Sequence, residues 1–176
     1  TAYAYDAAGR LASITHPGGE VVGYGYDAAG RLATLAAPAA VTGYGRDALG
    51  RLTRVTTPEG AFTFDLDLVG NRARKSAPNG LVTDSTFDLR DRPTSIVQRN
   101  GGGTTLGSWT VAYTPSGRRA SIAEQDGSVE TYAYDAQGRL VAETRTGTGP
   151  RSPSYAYDAV GKRTQKGRNG TPTALT

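Results

Sequence analysis

Apolar and polar positions alternate in short runs, and a Gly, Pro, Asn or Asp soon interrupts each run. Aromatic residues two apart, as in Tyr3-Ala4-Tyr5 and Tyr132-Ala133-Tyr134, share one face of an extended strand. No window of a dozen residues places apolar side chains at i, i+3, i+4 and i+7 without an intervening Gly or Pro, so helices are not predicted. Short strands bounded by turn residues at about 8–12-residue spacing predict an all-β chain.

The alternation belongs to an internal repeat. Tyr3-Ala4-Tyr5-Asp6-Ala7-Ala8-Gly9-Arg10-Leu11 returns as Tyr24 to Leu32, with Asp27 and Gly30 in the same places. A third copy keeps Asp47, Gly50, Arg51 and Leu52 but puts Arg46 in the second aromatic slot. A fourth holds Phe64, Asp67 and Gly70; a fifth holds Phe87, Asp88 and Arg92, with Asp91 where Gly is expected. The sixth has Tyr113, Gly117 and Arg118, with Thr114 in place of Asp. The seventh is complete, with Tyr132, Tyr134, Asp135, Gly138, Arg139 and Leu140; the eighth has Tyr155, Tyr157, Asp158, Gly161 and Lys162. Asp at the head of each Asp-x-x-Gly can accept hydrogen bonds from the turn's N–H groups, and Gly takes positive φ without a Cβ clash. The spacing predicts a three-residue hairpin loop ending in a bulge, with Tyr5 opposite Leu11 and Tyr3 on the same face. A second set of turns falls between these motifs, at Pro17-Gly18-Gly19, Pro58-Glu59-Gly60, Pro78-Asn79-Gly80, Asn100-Gly101, Asp126-Gly127 and Asn169-Gly170. Each unit therefore reads strand, turn, strand, turn. Two stretches, residues 100–108 and 146–154, interrupt the rhythm and read as longer, mobile loops. The organisation expected is one array of about eight units over residues 1–176, with no internal domain boundary.

Composition narrows the function. Hydrophobic residues make up 37% of the chain and Gly contributes 24 residues, which is thin for a compact core and rich for turns. Without cysteine there is no disulfide framework and no Cys-containing zinc site. No apolar run approaches the roughly 20 residues of a membrane-spanning helix. The net charge is +4, yet Arg10, Arg31, Arg51, Arg92, Arg118 and Arg139 recur singly, most with Asp four residues earlier. That dispersion predicts intrachain Asp–Arg pairs rather than a nucleic-acid footprint. The chain lacks Met and opens inside a repeat, so it reads as a piece of a longer protein.

Candidate chemistry is sparse. His16, the single histidine, precedes Pro17-Gly18 in a turn. Ser13 and Asp6 are near it in sequence, but no nucleophile elbow accompanies them, so a solvated turn residue is expected. Asp65-Leu66-Asp67 with Asp84, Asp88 and Asp91 could hold Ca²⁺ or serve glycoside hydrolysis. The EF-hand pattern is absent, and Asp67 and Asp88 already occupy turn slots. The tyrosines could stack on sugars or bases, but their fixed place in the repeat argues for sheet packing. Trp109, outside the aromatic slots, is the first candidate for a small binding patch. No catalytic, cofactor-binding or metal-ligating residue is assigned, and no cofactor is expected.

The unit Tyr-x-Tyr-Asp-x-x-Gly-Arg-Leu resembles the YD repeat of the RHS family, from Tyr3 to about Gly170. The resemblance implies a long antiparallel sheet, curved or spiralling into a hollow shell. In bacterial RHS polymorphic toxins and insecticidal toxin complexes such a shell encloses a C-terminal toxin; in teneurins it is part of an adhesion receptor. The role implied is structural and non-enzymatic, in a secreted or cell-surface bacterial protein. Its partners would be the remaining repeats and a C-terminal cargo domain. The family's aspartyl self-cleavage region has no counterpart after Gly170, so none of its residues is carried over. The functional alternative is a surface module binding a glycan or protein receptor, and solvent access to Tyr24, Tyr44 and Tyr132 separates the two. The structural alternative is a β-propeller with two units per four-stranded blade. An open array also implies exposed sheet edges and edge-to-edge self-association, through Tyr3-Ala4-Tyr5 more than through the edge near Arg168-Asn169-Gly170.

Overall fold

A computed structural model describes residues 1–167, and Asn169-Gly170 with the predicted C-terminal edge at residues 168–170 lies outside them. Contacts gather into two compact bodies. The first comprises Thr1–Asp84 with Arg99–Thr104, and the second Ser85–Gln98 with the chain from Thr105 onward.

The first body carries β1 (Ala2–Tyr5), β2 (Leu11–Thr15), β3 (Val21–Tyr26), β4 (Leu32–Ala37), β5 (Ala40–Arg46), β6 (Leu52–Thr57), β7 (Gly60–Leu66), β8 (Arg72–Ser76) and the start of β9 (Val82–Phe87). The second carries the end of β9, nearly all of β10 (Pro93–Arg99), β11 (Thr105–Tyr113), β12 (Arg119–Glu124), β13 (Val129–Tyr134), β14 (Leu140–Thr146), β15 (Ser154–Tyr157) and β16 (Arg163–Gly167). Within each body strand order follows chain order, and every described residue in regular structure is in a strand or bridge. Neither body divides into four-stranded blades, so the propeller alternative does not apply.

In the motif hairpins the ladder runs up to the Asp-x-x-Gly turn but skips one residue on the outgoing strand. Ala4 faces Ser13 and Tyr5 faces Leu11, leaving Ala12 unpaired. The same bulge leaves out Ala33, Thr53 and Ala73 in the first body and Ala120, Val141 and Thr164 in the second. A bulge shifts the side-chain alternation by one. Leu11 and Ile14 thus share a face, opposite Tyr5 and Tyr3, although they are three residues apart. Leu32 with Leu35 and Leu52 with Val55 repeat this spacing.

Between units the ladder is shorter. It joins Ser13–Thr15 to Val21–Gly23 and Ser121–Ala123 to Val129–Thr131, and stops before each Tyr-x-Tyr. Most intervening turns repeat the motif-turn geometry. His16, Ala77, Asn100 and Glu124 each donate N–H to the carbonyl four residues on and accept from the N–H three residues on. Two are tighter: Ala37 pairs with Ala40 across Pro38-Ala39, and Thr57 with Gly60 across Pro58-Glu59.

Of the two interruptions, the first is a tight turn running into strand rather than a long loop, and the second is a loop tied to its neighbours. Residues 105–108 belong to β11, which is lengthened to nine residues. In the other, Thr148 donates its N–H to Ser128 Oγ at 2.9 Å, and Arg145 Nε donates to the Thr148 carbonyl at 3.0 Å. Arg145 and Arg151 form a bridge beneath the loop.

Among the described residues, Phe64 is the buried apolar side chain, at 9% exposure. No core of the kind found between two packed layers supports the sheet.

Candidate functional site: the joint between repeat units

Each joint starts from the Asp-x-x-Gly turn. Asp6 Oδ1 accepts the Ala8 and Arg10 N–H groups, both at 2.9 Å, while Oδ2 accepts Arg10 Nε at 2.8 Å. The Asp6 backbone N–H donates to the Arg10 carbonyl, and Gly9 N–H donates to the Asp6 carbonyl. Asp27 with Arg31, Asp47 with Arg51, Asp88 with Arg92 and Asp135 with Arg139 repeat the Asp–Arg pair. In the altered units Asp67 grips Asn71, Asp158 accepts the Lys162 N–H, and Thr114 Oγ1 accepts the Arg118 N–H. The Arg10 and Arg31 backbone N–H groups hold the Asp6 and Asp27 carboxyls below the ordinary carboxylate range. For Asp47 and Asp88 the partner guanidinium is the leading cause, and Asp88 falls to about 2.

Fixed in this way, the arginine reaches into the following unit, where the ladder has stopped. Arg10 lies over the Tyr26 ring at 4.5 Å, Arg92 over Tyr113 at 4.1 Å, Arg118 over Tyr134 at 5.7 Å and Arg139 over Tyr157 at 4.8 Å. These are cation–π distances. Each of these tyrosines donates its hydroxyl back to the carbonyl just after that arginine. Tyr26 bonds Leu11 at 2.9 Å, Tyr113 bonds Pro93 at 2.8 Å, Tyr134 bonds Arg119 at 2.9 Å and Tyr157 bonds Leu140 at 2.9 Å. Arg51 and Arg139 also donate to the next unit's Asp67 and Asp158 carbonyls, both at 3.1 Å. The second aromatic slot thus replaces the missing backbone ladder.

The turn glycines stand against the same arginines. Gly9, Gly30, Gly50, Gly70, Gly117, Gly138 and Gly161 all have positive φ, and Asp91 fills the remaining place at φ 58°. An added Cβ at Gly50 would overlap the Arg31 guanidinium, and one at Gly138 would overlap that of Arg118. At Gly9 and Gly161 the space is open. The fourth unit has Leu66 in the tyrosine slot, and the third departs further from the pattern. Arg46 occupies the tyrosine slot, its Nε is buried without a hydrogen-bond partner, and its one long bond runs to the Gly50 carbonyl at 3.5 Å.

The Asp and Gly positions do not converge on one centre; each pair closes its own turn. His16 sits in the turn at the opposite end of β2 from Asp6, whose two oxygens are already engaged, so Ser13, His16 and Asp6 form no triad. Asp84 pairs with Arg99 at 2.5 Å and with Arg74 at 3.3 Å, while Asp65 faces Arg74 across the ladder. Among the described residues no group of three or more His, Asp or Glu is placed to hold a metal. Tyr24, Tyr44 and Tyr132 are half-buried. Trp109 lies across from Glu124 and lines an open cleft of about 420 Å³. Sequence reasoning missed the ionic network beside it. Arg145 makes two 2.7 Å bonds to Glu124, Arg151 reaches Glu130 at 2.5 Å, and Ser128 is fully buried.

The RHS Repeat family matches residues 5–42 and 113–151. No curated protein matches the chain. Crystal structures of TcdB2-TccC3 proteins share its fold. The one without the hypervariable C-terminal region aligns over 98% of this chain at 15% identity and a TM-score of 0.78. TcdB2-TccC3-TEV aligns over 89% at 18% identity, and TcdB2-TccC3-Cdc42 over 94% at 15%, both with a TM-score of 0.76. This chain spans only 10–12% of the length of those chains.

Proposed function

This chain belongs to the YD/RHS-repeat family, and from that premise we propose that it serves as structural wall. In the whole protein it forms part of a shell that encloses or presents a C-terminal toxin or effector. The observation that carries this reading is the joint: the repeat's most regular side chains are spent on holding one hairpin to the next. Tyr26, Tyr113, Tyr134 and Tyr157 have both ring and hydroxyl engaged within the sheet. The fold shared with the TcdB2-TccC3 structures supports it further. The role is non-enzymatic. The whole protein is secreted or displayed at a bacterial surface, and the partners of this segment are neighbouring repeats and the cargo.

Protease protection in the whole protein tests the proposal. Its C-terminal domain should resist a protease while the array is intact and become cleavable when Tyr134→Ala and Tyr157→Ala open two joints. Equal cleavage in both forms would remove the enclosing role. Nuclease, protease or glycosidase turnover by this chain that disappears in His16→Ala would overturn the non-enzymatic reading.

A further inference from the structure

Tyr26, Tyr113, Tyr134 and Tyr157 each set a ring between two units and return a hydroxyl to the carbonyl just after the arginine. The joint between the third and fourth units has no such ring, because Leu66 stands in the slot. Leucine is shorter than tyrosine and has no hydroxyl to return. The backbone around it keeps the pattern of the other joints. The ladder between β6 and β7 ends at Arg54 and Thr63, as those of the tyrosine joints end at Ser13 and Gly23 and at Ser121 and Thr131. Beyond that point the two strands line an open cleft of about 510 Å³, with Asp47, Arg51 and Thr53 on one side and Phe64, Asp65 and Leu66 on the other. All of these residues belong to the first body.

Arg51 is already posed for a ring. Its Nε donates to Asp47 Oδ2 at 2.7 Å and its Nη1 to the Asp67 carbonyl at 3.1 Å. Arg139 makes the same two bonds, at 2.7 and 3.1 Å, and carries Tyr157 on its face. Those bonds use the edge of the guanidinium and leave its flat face for a π system. An anion needs that edge, and the carboxylates of Asp47 and Asp65 repel one, so the cleft selects a neutral ring. The carbonyl that follows the arginine here is that of Leu52, in the place that Leu11 and Leu140 hold at their joints. An acceptor in that place distinguishes a phenol from a plain phenyl ring.

We propose that the cleft between β6 and β7 binds a phenolic ring, stacked on Arg51 and hydrogen-bonded to the Leu52 carbonyl. The ring takes the part that the repeat's own tyrosine plays at four other joints. Its source is a free phenol or the side chain of a tyrosine on another polypeptide. The proposal concerns one joint and does not rest on the wall role.

Amide NMR of the full chain, titrated with p-cresol, N-acetyltyrosinamide and toluene, reads the site directly. The expected result is a saturable shift with p-cresol, confined to the amides around Arg51, Thr53 and Leu66. At equal concentrations below saturation toluene should occupy the site about fivefold less, the loss of roughly one hydrogen bond. Binding of N-acetyltyrosinamide as well supports a tyrosine side chain as the source, and binding of p-cresol alone supports a free phenol. Leu66→Tyr should fill the cleft from within and abolish the shifts, whereas Leu66→Ala, which leaves it open, should keep them. No saturable shift with either phenol up to tens of millimolar, toluene binding as tightly as p-cresol, or undiminished binding in a folded Leu66→Tyr variant would each overturn the proposal.

Discussion

At the scale of single residues, the turn glycine has two separable roles. At every Asp-x-x-Gly it supplies positive φ, and at Gly50 it also leaves room for Arg31. Gly9→Ala tests the first role alone and should destabilise by about 1 kcal/mol, the cost of a Cβ in the left-handed region. Gly50→Ala adds displacement of Arg31 and should cost measurably more in denaturant unfolding. Equal losses at the two sites would detach the glycine from the joint. Arg46 offers the converse test, since the third unit has a guanidinium where the second has the Tyr26 ring. Arg46→Tyr should let Arg31 stack and a hydroxyl reach the Leu32 carbonyl, raising stability by about 1 kcal/mol. A neutral or destabilising result would mean that the slot is not interchangeable between units.

At the scale of the hairpin, the carboxylates at the turn heads make stability depend on acid. Their folded-state pKa values are depressed, so the stability they contribute is present above the ordinary carboxylate range. It is lost as pH falls through the folded values, down to about 2 for Asp88. The melting temperature should hold near neutrality and fall steadily below about pH 4. Asp88→Asn should lower stability at neutral pH and flatten part of the acid loss. A melting temperature unchanged down to about pH 2.5 would contradict the assignment. The strands and motif turns were legible because Asp, Gly and the aromatic pair are local signals with local causes. The bulge that closes each loop, with Tyr5 opposite Leu11, was legible for the same reason; the second one, past Leu11, was not, because Ala12, Ala33, Thr53 and Val141 share no side-chain signature. Its trace is the three-residue spacing of Leu11 with Ile14 and Leu32 with Leu35, which strict strand alternation obscures. The turn at Pro38-Ala39 escaped notice for want of a glycine.

At the scale of the whole molecule, the joint was the least visible feature. Tyr26 and Leu11 are 15 residues apart, and nothing in either motif copy states that one unit's tyrosine answers the previous unit's arginine. Trp109 was singled out from the sequence, but its cleft depends on Glu124 and Asp126 from the next hairpin turn. In this segment taken by itself β1 is exposed throughout, with Tyr3 at 59% and Tyr5 at 63%, so that in isolation its backbone is open to pairing. Such edges pair with other chains unless charge blocks them. Concentration-dependent association is therefore expected in light scattering, and Ala2→Lys with Ala4→Lys should reduce it. A strict monomer at high concentration would show that the edge is already covered.

The most direct test lies within one strand. Tyr26 donates its hydroxyl across the joint to Leu11 and carries Arg10 on its ring, whereas Tyr24 pairs with Leu35 inside its own hairpin. Equilibrium unfolding of Tyr26→Phe and Tyr24→Phe separates the two slots by a single oxygen atom. The joint predicts a loss of about 1 kcal/mol for Tyr26→Phe and less than about 0.5 kcal/mol for Tyr24→Phe. Equal effects, or a larger one at Tyr24, would contradict the claim that the second aromatic slot fastens each repeat to the one before it.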